Sequence, residues 1–353
     1  MKIGLIGLQN SGKTTLFSSL SSTGEEKGSI KTVKVPDKRL DELTKIFNPK
    51  KTVYATLEIT DSPGLGLSSE GKLKITNDFL NNVKNSKALF YVIRNFENES
   101  SPHPLTTIDP IRDLNFLESE FLFADMALVE SRIEKLKKDF QKSKNEQIKK
   151  ELPLMEKMQA HLEKEIPLRY LELDENEKKL LSSYQFITIK PAIAAINFEE
   201  KYIETAEEEI AKIKQSFDKY HLNILPFFAK IEAEISQLDS DSANEFMKDL
   251  GLKESSLQKM IRALYEELNL YSFFTVGEDE CRAWTITKGS NAQEAAGEIH
   301  SDFYAKFIRA EVVHYEDFIK HGSFQKCKEA GAWRLEGKEY IVKDGDIMTI
   351  RHN

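Results

Sequence analysis

Residues Gly7 to Thr14, reading G-L-Q-N-S-G-K-T, follow the spacing G-x-x-x-x-G-K-[ST], and each residue type has a chemical task at its place. Gly7 and Gly12 allow backbone N–H groups to turn inward around phosphate oxygens. Lys13 carries a mobile positive charge for the β- and γ-phosphates of a nucleotide, and the Thr14 hydroxyl suits Mg²⁺. The binding stretch runs from Gly7 through Leu8, Gln9, Asn10, Ser11, Gly12, Lys13 and Thr14 to Thr15. The competing reading is an ordinary glycine turn. Context decides between them: the branched run Ile3–Ile6 precedes the loop as a buried strand, and Leu16, Phe17 and Leu20 follow at helical spacing.

A carboxylate for the metal comes next. The segment from Val53 to Thr60 alternates as a strand and ends in Asp61-Ser62-Pro63-Gly64. Asp61 is placed to hold Mg²⁺ directly or through water, and the Gly64 N–H to face the terminal phosphate. D-x-x-G is also plain turn chemistry; its distance from the phosphate loop gives it weight. Residue 65 is Leu, where many GTPases carry the glutamine that orients water, so hydrolysis needs another group or a partner. Thr23, Ser29 and Thr32 are the hydroxyls available to complete the metal shell from the polar loop after the first helix.

Two further stretches point at the base. Phe186 to Ile196 is apolar and delivers Asn197-Phe198-Glu199-Glu200, where nucleotide-binding relatives of this motif hold N-K-x-D. Asp in that motif accepts both guanine N1–H and N2–H₂; Glu200 is one methylene longer, and adenine lacks that donor pair. The same residues also read as an N-cap and capping box, Asn197 with Glu200, for a helix over 199–217. Asn223 to Phe227 forms another strand, and Ala229 and Lys230 after it occupy the place of a base-supporting S-A-K loop. His103 lies in a polar loop, 95–107, after the strand Ala88–Arg94; a lone histidine there is ordinarily solvated.

The elements that must hold these groups follow from pattern. A short helix covers about Lys38 to Phe47. From about Asp113 to Lys179 the chain is rich in lysine and glutamate. Leu117, Phe121, Ala124 and Leu128 keep 4-3-4 spacing, resumed after a slip by Ile133, Leu136 and Phe140, and a second stripe runs Ile148, Leu152, Met155, Met158 and Leu162. The polar residues Gln141–Gln147 separate two antiparallel helices. Leu257, Ile261, Leu264 and Leu268 mark a further helix. From Tyr271 short strands and glycines describe a small mixed β domain, with 11 Lys and Arg against 14 Asp and Glu.

At 353 residues, 40% hydrophobic and 31% charged, the sequence describes a globular protein of two or three domains. A net charge of −8 disfavours nucleic-acid binding through bulk positive charge, so an RNA partner has to meet a local basic patch. No apolar run reaches 18 residues and the N-terminus enters a strand directly, so neither a signal peptide nor a membrane span is expected. Two cysteines, Cys281 and Cys327, fit a reducing, cytoplasmic setting.

With these residues in hand, the chain resembles the YchF or Obg-like ATPase family of translation-factor-related P-loop proteins over essentially its whole length. The likeness is most specific in CRAWTITKGSNAQEAAGEIHSDFYAKFIRAEVVHYEDF and KEAGAWRLEGKEYIVKDGDIMTIR, which are similar to the family's TGS domain, a ubiquitin-like β-grasp fold. VPDKRLDELTKIFNPKK and ESEFLFADMALVESRIEKL also fit. The resemblance implies that Asn197 and Glu200 form the N-x-x-E associated with ATP over GTP. It also places Asn10 where potassium-activated relatives have a ligand for a catalytic K⁺, Leu65 at the hydrophobic replacement of glutamine, and His103 at a histidine implicated in hydrolysis. Departures are QNSGKT where the family usually has PNVGKS, a shortened first switch, and the abbreviated LGLSSEGKLK. They keep the binding groups and bear on hydrolysis rate and switching.

The expected fold is therefore α/β: a P-loop NTPase domain of the G-domain type (1–112 and 184–270), an inserted helical hairpin (113–183) and a C-terminal β-grasp domain (271–353). The expected activity is binding and slow hydrolysis of ATP with Mg²⁺ and K⁺, with Lys13, His103 and Asn10 at the reacting phosphate. The resemblance implies a translation- and stress-related protein, expected to be a cytoplasmic monomer. Its expected partners are the large ribosomal subunit or whole ribosome and its RNA, with no DNA or membrane partner. The alternatives are a GTPase of the same fold, separable by ATP and GTP titration, and a nucleotide-dependent scaffold with negligible turnover. A small-molecule kinase ranks below both, for want of a second substrate motif.

Overall fold

The structure, a computed structural model, describes residues 1–20, 28–69, 73–142, 146–217 and 222–353. The chain forms two compact units, Met1–Lys31 with Glu58–Met260, and Thr32–Leu57 with Ile261–Asn353. Strands in chain order are β1 (Lys2–Ile6), β2 (Ile30–Lys34), β3 (Lys51–Val53), β4 (Thr56–Thr60), β5 (Ala88–Asn95), β6 (Ala192–Phe198), β7 (Asn223–Phe227), β8 (Leu270–Thr275), β9 (Glu280–Thr287), β10 (Phe307–His314), β11 (Arg334–Glu336) and β12 (Asp346–His352).

The first sheet has the order β2-β4-β1-β5-β6-β7, and β1, β4, β5, β6 and β7 pair in parallel. A parallel sheet is covered on both faces, which is why β5 and β6 read as continuous apolar runs and are buried almost throughout. Pro226 lies in β7, the edge strand, where a missing N–H interrupts no ladder. The strand expected over 186–196 runs instead from Ala192 to Phe198; Phe186 and Ile187 are buried before it begins. A helix that periodicity did not mark, Asn77–Asn85, is capped by the Thr76 side chain and brings Phe79 onto Phe121, with ring centroids 6.0 Å apart.

The helices Pro110–Lys142 and Glu146–Leu162 pack against each other; of the turn expected at 141–147, residues 143–145 lie outside the described residues. Their shared core uses Leu122, Val129, Ile133 and Leu136 with Leu154, Met155, Met158 and Leu162. This corrects the expected stripe: Ala124 and Leu128 are exposed, and Asp125 is buried in their stead. Its carboxylate accepts Ile187 N–H at 2.9 Å and both Thr188 N–H and Oγ1–H at 2.7 Å, which offsets the desolvation of a buried charge. Nearby, the buried Arg169 guanidinium is forked onto Glu118 at 2.9 Å.

The second sheet has the order β11-β10-β12-β8-β9-β3. β8 and β9 form one antiparallel pair, β10 pairs antiparallel with both β11 and β12, and β12 lies parallel to β8 in the centre. The helix Ala292–Ile299, started by a capping box of Asn291 and Glu294, supplies Ala292 and Ala295 to the core beneath. Two hairpin-like pairs around a parallel central pair, with a helix across one face, is the β-grasp arrangement. The single strand expected over 53–60 is two: β3 ends at Val53 and joins β9 in parallel, while β4 starts at Thr56 and joins β1 in the other sheet. Residues 32–57 belong with the C-terminal unit. Their helix Lys38–Phe47, at the expected place, is capped by Asp37; Arg39 is forked to Asp344, and Phe47 packs 5.4 Å from Phe318. No helix among the described residues is long and apolar enough to cross a membrane.

Candidate functional site

A cavity of about 560 Å³ opens at the carboxyl ends of the parallel strands, where an open α/β sheet leaves a crevice between successive loops. Segments from five strand ends line it: Gln9–Thr15 after β1, Gly64 after β4, Phe96–Asn98 with Ser101 after β5, Asn197–Glu199 at the end of β6, and Ala229 and Lys230 beyond β7. Gln9, Asn10, Ser11, Gly12, Lys13, Thr14, Thr15, Gly64, Asn197, Ala229 and Lys230 are thus brought together in one lining. Gly7, Leu8, Asp61, His103 and Glu200 are outside the lining. Phe96, Glu97, Asn98, Ser101, Phe198 and Glu199 were not singled out as binding residues. Their signal was positional only, as residues that follow the apolar strands β5 and β6.

The loop geometry requires its glycines. Gly12 has φ +93°, and a Cβ there would lie 2.2 Å from Asn197 Nδ2; a Cβ on Gly7 would meet the Val92 carbonyl at 2.4 Å. Asn10 also adopts a left-handed φ of 62°. Backbone bonds lace the loop to the Asp61–Leu65 segment, from Gln9 N–H to Leu65 O at 3.0 Å and from Leu65 N–H to Gly7 O at 3.1 Å. Leu8 is therefore a buried strut beside Leu65, and Gly7 shapes the loop from behind.

Lys13 is 5% exposed and donates to Gly7 O at 3.1 Å. Burial pushes its ammonium down to about 8, and the charge of Asp61 partly restores it. Burial raises the Asp61 carboxyl, against the pull of Lys13 and the Ser62 N–H. Asp61 Oδ1, Ser11 Oγ and Ser62 Oγ are buried without a hydrogen-bond partner among the described residues. An acceptor oxygen left unpaired beside a lysine, with a threonine hydroxyl on the phosphate loop, fits a hydrated divalent cation. Of the three switch hydroxyls, Ser29 sits beside Asp61, whose N–H donates to Ser29 O at 2.8 Å; Thr32 lies within β2, and Thr23 is outside the described residues.

At the far end, Asn197 links two loops. Its Nδ2 donates to Ser11 O at 3.1 Å, and its Oδ1 accepts Ala229 N–H at 3.1 Å. The capping reading is thereby corrected: Asn197 is a strand residue, and the helix begins only at Ala206, with Thr205 before it. A 3₁₀ turn, Glu200–Tyr202, stands between.

The loop after β5 is pinned from below by Arg94, which is 2% exposed and donates to Phe96 O at 2.9 Å and Ser101 O at 2.8 Å. Asn10 Nδ2 donates to Pro102 O at 3.2 Å, tying this loop to the phosphate loop. His103 is 7% exposed and therefore not the solvated loop histidine that its surroundings in sequence suggested.

Residues 2–107 match a family model described as a 50S ribosome-binding GTPase, and residues 270–353 match the YchF GTPase C-terminal model, described as a protein of unknown function, DUF933. The chain is similar to the ribosome-binding ATPase YchF of Bacillus subtilis strain 168, at 38% identity over 99% of this chain and 98% of that one. It is 39% identical to the protein of that name from Haemophilus influenzae, over 100% of this chain and 99% of the other. The solved structure of the Schizosaccharomyces pombe YchF GTPase superposes with a TM-score of 0.88 at 31% identity, covering 99% of this chain and 97% of that one.

Proposed function

The chain belongs to the YchF family, and from that premise we propose that it binds ATP in the cavity at the strand ends, hydrolyses it slowly and associates with the ribosome. The observation that carries this reading is the lining itself: a glycine-built loop, Gln9–Thr15, with the buried Lys13, shares one cavity with Phe96, Phe198 and Ala229 from the loops after β5, β6 and β7. Lys13 and the loop N–H groups hold the β- and γ-phosphates, and Gly64 N–H meets the terminal one. Asn197 ties the phosphate loop to the loop beyond β7, and Asn197–Glu199 with Ala229 and Lys230 receive the base.

Thr14 and Asp61 would hold Mg²⁺, which would supply positive charge against the negative charge developing on the transferred phosphoryl group and the departing ADP. Asn10 would offer its amide oxygen to K⁺, which would add positive charge at the reacting phosphate. Leu65 brings no polar group to the attacking water; His103, which the resemblance nominates for that task, is buried against Asp113 and reaches it only when its loop releases the ring. Three parts divide the work: nucleotide chemistry in the P-loop portion, partner contact through the helical hairpin, and partner contact through the β-grasp module. The ribosome, through its large subunit and RNA, is the partner, met in the cytoplasm by a monomer.

Parallel fluorescent titrations with ATP and GTP test the nucleotide, and tighter GTP binding would overturn it. Phosphate release measured with K⁺, with and without ribosomes, tests turnover; none under any condition leaves a nucleotide-dependent scaffold.

A further inference from the structure

Two adjacent glutamates follow Asn197-Phe198, and the fold separates them. Glu199, with a side chain 30% exposed, lines the cavity. Glu200 is exposed on the first residue of the 3₁₀ turn and is not part of the wall. The Glu199 carboxylate is held at two points: Oε1 accepts the Glu97 N–H at 3.1 Å, and Oε2 lies 3.0 Å from Lys201 Nζ. Glu97 sits in the facing wall with Phe96, Asn98 and Ser101, so this one side chain joins the loop after β5 to the turn after β6. The Glu97 N–H, then Lys201 and the more distant Lys230, hold its carboxyl below the ordinary range, so it is ionised at neutral pH.

We propose that Glu199, rather than Glu200, is the specificity-determining carboxylate at the purine end of the cavity. An ionised carboxylate donates no hydrogen bond and offers about four acceptor positions, of which Glu97 and Lys201 occupy one on each oxygen. The remaining lone pairs suit the exocyclic amino group that adenine carries at C6; the donors of guanine lie instead at N1 and C2, the pair that the Asp of N-K-x-D accepts. The carbonyl oxygen that guanine carries at C6 is repelled by those lone pairs. Because Oε1 is fixed by a backbone N–H, the carboxylate cannot simply swing aside to admit guanine, and losing it also loosens the Phe96–Ser101 wall. The role of Glu199 rests on the ATP preference proposed above, and the two are separable by experiment.

Dissociation constants for ATP and GTP are to be measured on the full chain, on Glu199→Gln and on Glu200→Gln. An amide presents N–H₂ as readily as C=O, so Glu199→Gln is expected to cut the ATP-to-GTP affinity ratio roughly tenfold or more. Glu200→Gln is expected to leave the ratio within about twofold, as an exposed side chain does. At saturating ATP, Glu199→Gln is expected to keep kcat and raise KM, which a general loss of fold does not produce. Glu199→Asp, too short to reach Glu97 N–H, provides a second variant with the same expected direction. An unchanged ratio in both Glu199 variants, or a fall in Glu200→Gln alone, overturns the proposal. A wild-type chain that prefers GTP overturns the ATP reading itself, whatever the variants do.

Discussion

His103 Nε2 lies 2.7 Å from Oδ2 of Asp113, and both side chains are 2% exposed. The contact is close but not a linear hydrogen bond. On the other side of the ring, Nδ1 accepts the Leu105 N–H at 3.1 Å, which assigns the proton to Nε2. Asp113 Oδ1 is engaged by Arg112 at 2.7 and 3.0 Å. The histidine is thus buried, with Nδ1 hydrogen-bonded and Nε2 in close contact with the Asp113 carboxylate. Use of this ring at the nucleotide requires residues around 102–105 to move, and the Asn10–Pro102 bond puts the phosphate loop in contact with the segment that must do so.

The pair should behave as a coupled unit in stability. His103→Ala and Asp113→Ala are each expected to destabilise the fold by about 2 kcal/mol or more, because each leaves a buried polar partner behind. In the double variant the costs should fall short of additive by about 1–3 kcal/mol. Urea unfolding of the four proteins gives the coupling directly; additive losses would mean that the two groups do not support one another.

Lys13 is expected to govern both affinity and its pH dependence. Lys13→Ala should weaken ATP binding roughly a hundredfold or more, since several charge-assisted contacts to phosphate depend on it. The sign with pH follows from a lowered ammonium. Lys13 is charged below about 8 and loses its proton as pH rises through that value, so ATP affinity should be level below pH 8 and decline above it. Titrations from pH 6.5 to 9.5 should show this bend in the wild type and none in Lys13→Ala.

Gly12→Ala is expected to destabilise the protein by about 2 kcal/mol or more and to lower ATP and GTP affinity alike. The new Cβ must displace Asn197, whose amide bonds both Ser11 and Ala229, and φ at this position disfavours any side chain. Thermal unfolding with paired nucleotide titrations checks it. A selective loss of one nucleotide would place the effect on the base and not on the shared link.

Asp61→Asn should separate metal dependence from nucleotide binding. The variant keeps the shape of the side chain but removes the charge for Mg²⁺. Phosphate release should fall about a hundredfold while ATP affinity in excess EDTA changes little. Full activity in the variant would remove Asp61 from the metal site.

The hairpin shows how far periodicity carries. Leu117 and Phe121 were placed on the core face and are buried; one turn later, the apolar choice of Ala124 and Leu128 fails. The core takes Asp125 because Ile187 and Thr188, some sixty residues away, present donors to it. Hydropathy assigns an aspartate to solvent, and only a partner distant in sequence reverses that. The break between β3 and β4 has a similar origin. Both halves have strand character, and no local signal announces that they pair with strands of different sheets.

By itself the sequence determined the phosphate loop, because that chemistry is written in eight consecutive residues whose backbone freedom and charge are local properties. It likewise marked β5, β7 and the two helices of the hairpin, but not the helix Asn77–Asn85 or the break between β3 and β4. The tertiary structure decided what no spacing encodes: that His103 is stored against Asp113, that Glu199 faces the cavity while Glu200 faces out, and that residues 32–57 pack with the C-terminal unit. Those outcomes depend on side-chain direction and on partners tens or hundreds of residues away. They are set by which buried groups satisfy one another when the loops close together, and not by any property of the neighbouring residues.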